Sequence, residues 1–443
     1  MSRVTIDYRK VTGPVKPMHC INNGPIWETQ EILFPKLKEA GIPYARLHDT
    51  GYPFGSSVFV DIECIFRDFD ADPDDPAAYD FAFTDWLLST LIKNGTQPFY
   101  RLGASIENSN RIKAYHIFPP KDNLKWAHIC EGIIRHYNEG WADGFEHGIT
   151  YWEIWNEPEN SPNVDENPMW KGTKEQYFAL YETTANHLKA RFPNIKVGGY
   201  ASCGFYAVLK KGLGESPISA RTQYFVDYFH EFLDYIKSPA HASPLDFFSW
   251  HSYGNITETR QYAAFVRQTL DEHGFPHTES ILNEWNPGIQ YRGTLRDSAN
   301  ILGMICAMQN DAVDMLMYYD GQINTTYGGL WDPVKLQPFK AYYSLKAFNV
   351  LYTLGQAVAA SAEDDELYTC AASGDGRQAS LLVNTSDEPK EVEIRFEGLG
   401  CDNLTTQLVL DETHNLEQAA QFRGLSEITL TLAPYATVLF ESR

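Results

Sequence analysis

Between residues 15 and 355 the chain alternates short apolar runs with amphipathic stretches eight times. That count constrains the fold more than any other feature. The apolar runs, read as strands, cover 15–21, 44–47, 97–102, 150–155, 196–200, 246–251, 280–284 and 314–319. The stretches between them, read as helices, cover 31–40, 83–93, 123–137, 174–191, 222–236, 257–273, 297–309 and 340–351. In the first of these, Ile32, Leu33, Leu37 and Ala40 recur at helical spacing, and Gly41 follows as a stop. Phe192-Pro193-Asn194 forms a turn signal that closes one helix just before the apolar run opening at Ile195. Eight strand–helix units predict an α/β chain closed as a (β/α)8 TIM barrel. A doubly wound open sheet is the competing arrangement. It would favour a glycine-rich phosphate loop after the first strand, and no GxGxxG or P-loop pattern stands there.

From about residue 360 the texture changes. The runs 391–396 and 427–432 alternate with period two, and Gly374, Gly376, Gly398, Gly400 and Gly424 punctuate them. The expected organisation is a catalytic barrel over 15–355 and a small antiparallel, sandwich-like β domain over 356–443. The run 4–8 alternates too, so residues 1–14 are expected to add a strand to that β domain.

The 443 residues are 43% hydrophobic and 14% aromatic, enough for one large core and a smaller one. A net charge of −22, from 36 Lys+Arg against 58 Asp+Glu, argues against nucleic acid or an anionic membrane surface as partner. Seven Cys are scattered without a CxxC pair or zinc-like spacing, and most sit in apolar runs as small buried hydrophobes. Such an odd, unpatterned set favours a reducing compartment. The first residues carry no apolar signal-peptide core, and no apolar run approaches the ~18 residues of a membrane span. The expectation is a cytoplasmic protein. The acidic, Pro-broken segment 68–80 lacks an EF-hand pattern and reads as a solvated loop.

In a (β/α)8 barrel the residues that end the strands converge on one face. Here the strand ends carry Arg46, His48 and Asp49; Trp155, Asn156 and Glu157; His251 and Tyr253; Asn283, Glu284 and Trp285; Tyr319 and Asp320. A lone Glu in an apolar run is more often salt-bridged than catalytic, but five such ends together reverse that reading. Two carboxylates are the minimum equipment for cleaving a glycosidic bond. A general acid needs a raised pKa, and Glu157, between Trp155 and Pro158, suits that role. Glu284 must stay ionised, with Arg46, His251 and Tyr253 as candidate donors beside it. The Asn156 amide is placed to hold a sugar hydroxyl. Tyr52, Trp155, Trp285, Tyr319 and Trp331 offer rings for a pyranose face, although each is as readily core.

These residues carry a family resemblance. Asn156-Glu157-Pro158 after strand four, with Glu284 ending strand seven, resembles clan A of the glycoside hydrolases. More narrowly the chain resembles family 39, the β-xylosidases and α-L-iduronidases. The supporting stretches are Tyr44 to Asp49, Phe59 to Glu63 with Tyr79, Asp85, Leu91 and Gln97, Pro119 to Asn123 with Trp126, Tyr151 to Pro158, and Leu282 to Asn286. The resemblance implies Glu157 as acid/base, Glu284 as nucleophile and retention of anomeric configuration. It also implies that Arg46, His48, Asn156, His251 and Tyr253 line the sugar subsite, with no metal or cofactor. The iduronidase branch has a Lys where Tyr253 stands, so a uronic acid is the less favoured substrate. After strand eight, Asp320 and Gln322 stand where the xylosidase branch carries a Trp-rich acidic stretch. The expected partner is an oligosaccharide or glycoside, attacked from its end. An α-L-arabinofuranosidase or other clan A specificity, and a non-catalytic sugar-binding barrel, are the alternatives. Homo-oligomerisation stays open.

Overall fold

The computed structural model describes residues 1–26, 30–48, 60–106, 115–212, 216–323 and 325–443. Asp49, Tyr52 and Phe59 lie outside the described residues. Strand β1 (Ser2–Pro14) precedes a closed parallel barrel of β2 (Cys20–Asn22), β3 (Tyr44–Leu47), β4 (Gln97–Leu102), β5 (Tyr151–Ile154), β6 (Lys196–Ser202), β7 (Phe247–Ser252), β8 (Glu279–Trp285) and β9 (Met315–Tyr318). Around it run helices α1 (Phe34–Ala40), α2 (Ile62–Ile65), α3 (Ala82–Lys93), α4 (Asn123–Asn138), α5 (Lys174–Arg191), α6 (Ala220–Lys237), α7 (Ile256–Glu272), α8 (Leu295–Asn310) and α9 (Lys340–Leu354). The helix starts are written locally. Thr173 with Gln176, and Asn255 with Glu258, form reciprocal capping boxes at α5 and α7.

Strand alternation builds the barrel in layers. Cys20, Phe99, Tyr151, Phe247, Ile281, Met315 and Met317 form one apolar cluster. Phe99 and Phe247 stand on non-neighbouring strands yet meet with ring centres 5.2 Å apart, so this cluster fills the barrel interior. The intervening residues, such as Tyr100, Trp152, Phe248 and Leu282, belong to the outer core beneath the helices. Two residues further along the interior face come Asn22, Arg101, Glu153, Ser249 and Asn283, joined by Arg46 of β3. The interior therefore turns polar as it approaches the C-terminal ends of the strands.

After β10 (Trp331–Asp332) and β11 (Gln337–Pro338), the chain enters β12 (Gln356–Ala362), β13 (Leu367–Gly374), β14 (Arg377–Asn384), β15 (Lys390–Glu397), β16 (Leu404–Leu410), β17 (Asn415–Arg423), β18 (Glu427–Leu432) and β19 (Thr437–Ser442). With β1 they form one nine-stranded sheet in the order β17-β16-β19-β14-β13-β12-β1-β15-β18. Strand β1 runs antiparallel to β12 and parallel to β15. Phe396 of β15 and Phe440 of β19 pack at 5.2 Å although β14, β13, β12 and β1 lie between them in the sheet. The sheet thus folds over on itself around Val4, Ile6, Val392, Ile394 and Val438. Its other face shares the barrel core through Cys370, Ala372, Leu381 and Leu439.

Most element ends shift slightly from expectation, and two of the shifts have a clear local cause. The first barrel strand is limited to Cys20–Asn22. Pro14 and Pro17 bring no N–H to a ladder, and Lys16 instead gives its ammonium to the carbonyls of Met308, Asp311 and Val313 at 3.2, 2.7 and 2.7 Å. Helix α1 starts at Phe34 rather than at residue 31, with a proline in its first turn, and ends at Gly41 with φ 59°. Among the described residues, no helix is long and apolar enough to cross a membrane.

Candidate active site

Glu284 faces the barrel mouth because of a bulge. Trp250 of β7 pairs with Leu282 of β8, and the next residue, His251, pairs with Glu284. One extra residue on β8 lets Asn283 and Glu284 both contribute to the polar interior, where strict alternation would turn one of them away. Glu157 is delivered differently. Past the end of β5, Trp155 and Glu157 hold left-handed backbone at φ 74° and 47°. Such conformations are costly for residues with a Cβ and persist only where surroundings enforce them. Here the Trp155 indole N–H is bound by the Met169 carbonyl at 2.9 Å, and its ring packs on Trp126 and Trp170. The Glu157 amide donates to the carbonyls of Tyr200 and Ala201 at 3.1 Å. Trp155 is therefore a buried wedge that orients Glu157, not a ring offered to a sugar.

The two carboxylates meet around one imidazole. His251 Nδ1 lies 2.8 Å from Glu157 Oε1, and its Nε2 lies 3.6 Å from Glu284 Oε2. One oxygen of each Glu and a ring nitrogen of His251 all fall within 4.8 Å of one another. The Tyr253 hydroxyl donates to Glu284 Oε1 at 2.6 Å, and Arg46 Nη1 lies 3.3 Å from Glu284 Oε2. Arg46 is fully buried. Its Nε donates to Glu153 Oε2 at 2.7 Å and its Nη2 to Asn156 Oδ1 at 2.6 Å. Since arginine can only donate, Asn156 presents its oxygen to Arg46 and its N–H2 elsewhere. Asn283 Nδ2 completes Glu153 at 2.6 Å. Arg101 Nε donates to His48 Nδ1 at 3.2 Å, which fixes that nitrogen as an acceptor.

The proton distribution corrects one expectation. Burial pushes the Glu157 carboxyl up, but the hydrogen bond and charge of His251 and the Asn160 amide outweigh it, so Glu157 lies below its ordinary range. For His251, burial pulls down, yet the Glu284 charge and the Glu157 contact hold the imidazolium above its ordinary value. The 2.8 Å contact between His251 Nδ1 and Glu157 Oε1 is the route by which a proton held by the imidazolium can reach Glu157. Apolar neighbours alone would have put it on Glu157 itself.

A third carboxyl, Glu159, lies beneath this pair. It is completely buried, its Oε1 accepts the Cys203 amide at 2.7 Å, and its Oε2 has no partner. Burial pushes it up to about 8. A folded-state value above the unfolded one means that its share of stability is full below about 4.5 and is lost as pH rises towards about 8. Glu159→Gln keeps the shape of the neutral acid. The variant is expected to match the parent near pH 4 and to exceed it at about pH 8 by on the order of 4 kcal/mol in urea unfolding.

The remaining expected site residues divide. Tyr319 stays near the mouth, its ring 5.1 Å from Tyr327, which in turn lies 5.5 Å from Tyr253. These three rings form a wall across the ends of β7 and β9. Asp320 accepts the Gln322 amide at 3.1 Å and the Thr325 hydroxyl at 2.8 Å, so one of its oxygens shapes its own loop. Trp331 is buried, gives its indole N–H to the Gly321 carbonyl at 2.7 Å and packs on Tyr342. Trp285 is buried edge-on against Tyr318. Neither offers a free sugar-stacking face, which corrects the expectation for both. Sequence reasoning passed over Glu153, Glu159 and Tyr327, and named Asn283 as a strand end without giving it a role. The parity signal for Glu153 was available, two positions before Trp155 on the inward face.

The Arg46–Glu153 pair is wholly buried on both sides. Arg46→Met leaves Glu153 without its cation and is expected to cost ~3–5 kcal/mol in denaturant unfolding. The double variant Arg46→Met, Glu153→Met should recover most of that loss, because burying neither charge is nearly neutral.

Residues 4–348 match glycosyl hydrolases family 39, and residues 368–440 match the C-terminal immunoglobulin-like domain of D-apionate lactonase. A β-xylosidase of Geobacillus stearothermophilus is 24% identical over 298 residues, 60% of this chain and 53% of that protein. A β-xylosidase of Caldicellulosiruptor saccharolyticus is 28% identical over 213 residues, 45% of this chain and 40% of that protein. The chain thus spans about half the length of the curated relatives it matches. Among solved structures, a glucosidase from Croceicoccus marinus superposes with TM-score 0.78 at 22% identity, covering 100% of this chain and 98% of that one. A monomeric β-xylosidase from Caulobacter crescentus gives 0.70 at 17%, covering 100% and 99%. Both share the fold. The family match runs from β1 into α9 and takes in every barrel strand, so the chain belongs to glycosyl hydrolases family 39.

Proposed function

We propose that this chain is a retaining glycoside hydrolase that releases a terminal xylose-like sugar by double displacement. The observation that carries the reading is the approach of Glu157 and Glu284, whose nearest oxygens fall within 4.8 Å with His251 between them. Retaining enzymes hold their carboxyl groups ~5–5.5 Å apart, whereas inverting ones need ~6.5–9.5 Å to admit a water. Glu284, fed by the Tyr253 hydroxyl and the Arg46 guanidinium, is the ionised nucleophile. It attacks the anomeric carbon while Glu157 passes a proton to the departing oxygen. Water then enters on the leaving-group side, Glu157 takes its proton, and the bond to Glu284 breaks with overall retention. The Asn156 N–H2 is the donor for the hydroxyl next to the reacting carbon, a contact that strengthens in an oxocarbenium-like transition state. No cofactor enters either step.

Two curated relatives are β-xylosidases, which supports a pentose substrate. The Tyr253 hydroxyl is committed to Glu284 and supplies no positive charge for a uronic acid. A carbohydrate is the expected partner, and the six buried thiols fit a reducing, cytoplasmic setting. A panel of 4-nitrophenyl glycosides tests the reading. The β-D-xylopyranoside should be cleaved fastest. A preference for the α-L-arabinofuranoside or the β-D-glucopyranoside would reassign the sugar, and failure to cleave any of them would favour a non-catalytic sugar-binding barrel.

A further inference from the structure

On the outside of the barrel, His128 and Glu131 stand three residues apart on α4, and His187 of α5 faces them. His187 Nε2 lies 2.6 Å from Glu131 Oε2. The rings of His128 and His187 lie 4.4 Å apart between centres, tilted by 34°. One donor atom from each of the three residues falls within 4.8 Å of the other two, and all three are partly exposed. We propose that these side chains form a surface site for a divalent transition metal of the Zn²⁺ class, which fastens α4 to α5.

The donor set selects the ion. Two imidazoles and one carboxylate suit Zn²⁺ and its neighbours, while Ca²⁺ and Mg²⁺ require oxygen donors. With bonds of about 2.0–2.2 Å, tetrahedral donors sit ~3.4 Å from one another. The 2.6 Å contact must open slightly and the widest gap must close, both within reach of partly exposed side chains. Spacing of three on a helix puts His128 and Glu131 on one face. Arg191 Nε lies 3.3 Å from Glu131 Oε1, so it holds the carboxylate from behind and leaves Oε2 for the ion. A simple His187–Glu131 pair would have no use for His128, which makes no hydrogen bond among the described residues. Its ring is nonetheless held against that of His187, where a third donor belongs. Strand β5 and Glu157 lie between α4 and α5 in sequence, so the ion would brace the unit that carries Glu157.

Metal-stripped full-length protein titrated with Zn²⁺ tests the site by calorimetry and by thermal unfolding. One ion per chain is expected, with a rise in Tm of roughly 2–4 °C at saturating Zn²⁺. Both signals should vanish in His128→Ala and in His187→Ala, and in chelator the Tm of His128→Ala, which gives up no hydrogen bond among the described residues, should match the parent. His128→Asn supplies an independent variant should one of these fold poorly. Binding should persist in Glu284→Ala, which separates this site from the Glu157, His251 and Glu284 cluster. Unaltered Zn²⁺ binding in His128→Ala, loss of binding in Glu284→Ala instead, or no binding up to about 100 µM Zn²⁺ would overturn the proposal.

Discussion

Glu284→Ala is expected to lower kcat/KM for an aryl β-D-xyloside by on the order of 10⁵-fold, the scale on which hydrolases lose activity when a covalent nucleophile is removed. The size follows from the geometry. Glu284 is the carboxylate that receives both the Tyr253 hydroxyl and the Arg46 guanidinium, so its charge is held in place before substrate arrives. Glu157 cannot replace it, because it is needed as acid on the leaving-group side. The fold should survive. Arg46 keeps its pairing with Glu153 and its bond to Asn156 after Glu284 is lost, while its Nη1 contact, the His251 Nε2 contact and the Tyr253 hydroxyl lose their acceptor at the mouth of the barrel. A melting curve close to the parent's beside a collapsed rate is therefore the expected pair of results. Retention of more than about a tenth of the parent rate would remove Glu284 from the chemistry.

Glu157→Ala should behave differently, and the difference identifies its role. On substrates with poor leaving groups the loss should reach ~10²–10⁴-fold, since the departing oxygen then leaves unprotonated. On a dinitrophenyl glycoside the first step needs little help and should stay fast. The second step, which requires Glu157 as base, should then limit turnover and lower KM as the covalent intermediate accumulates. Azide, which needs no base, should restore turnover and give a glycosyl azide of retained configuration. The pH profile adds a check. Burial alone would depress His251, but the Glu284 charge and the Glu157 hydrogen bond raise it, so the site keeps its proton to above the ordinary imidazole range. The basic limb of kcat/KM for the parent should accordingly lie above about 6.5. It should disappear in Glu157→Ala. A uniform loss on all leaving groups would instead give Glu157 a merely structural part.

Much of this site was legible in the sequence because a barrel converts strand ends into neighbours. Arg46, Glu157, His251 and Glu284 lie far apart in the chain, yet the count of eight strands alone brings them to one mouth. What was not legible depends on local geometry that leaves no periodic trace. The bulge that turns Glu284 inward beside Asn283 has no sequence signal. Trp155 looked like a sugar platform because aromatics serve both cores and binding faces. Only its hydrogen bond to Met169 and its packing on Trp126 and Trp170 decide between them. The direction of the Glu157 shift was misread for a related reason. Apolar neighbours along the chain suggested a raised Glu157, whereas the dominant partner, His251, comes from another strand. The C-terminal strands were readable by their alternation. The alternation of residues 4–8 also pointed to β1 as a member, but the order of the strands in one continuous sheet was not readable, since which strands pair is a property of the whole chain.

The most direct test of the central claim is the configuration of the first sugar released, followed by proton NMR during hydrolysis of an aryl β-D-xyloside. Glu157 and Glu284, with oxygens within 4.8 Å, leave no room for a water between nucleophile and anomeric carbon. The β anomer must therefore appear first and convert slowly to the α anomer by mutarotation. Initial appearance of the α anomer would mean a single displacement by water and would contradict the assignment of Glu284 as nucleophile.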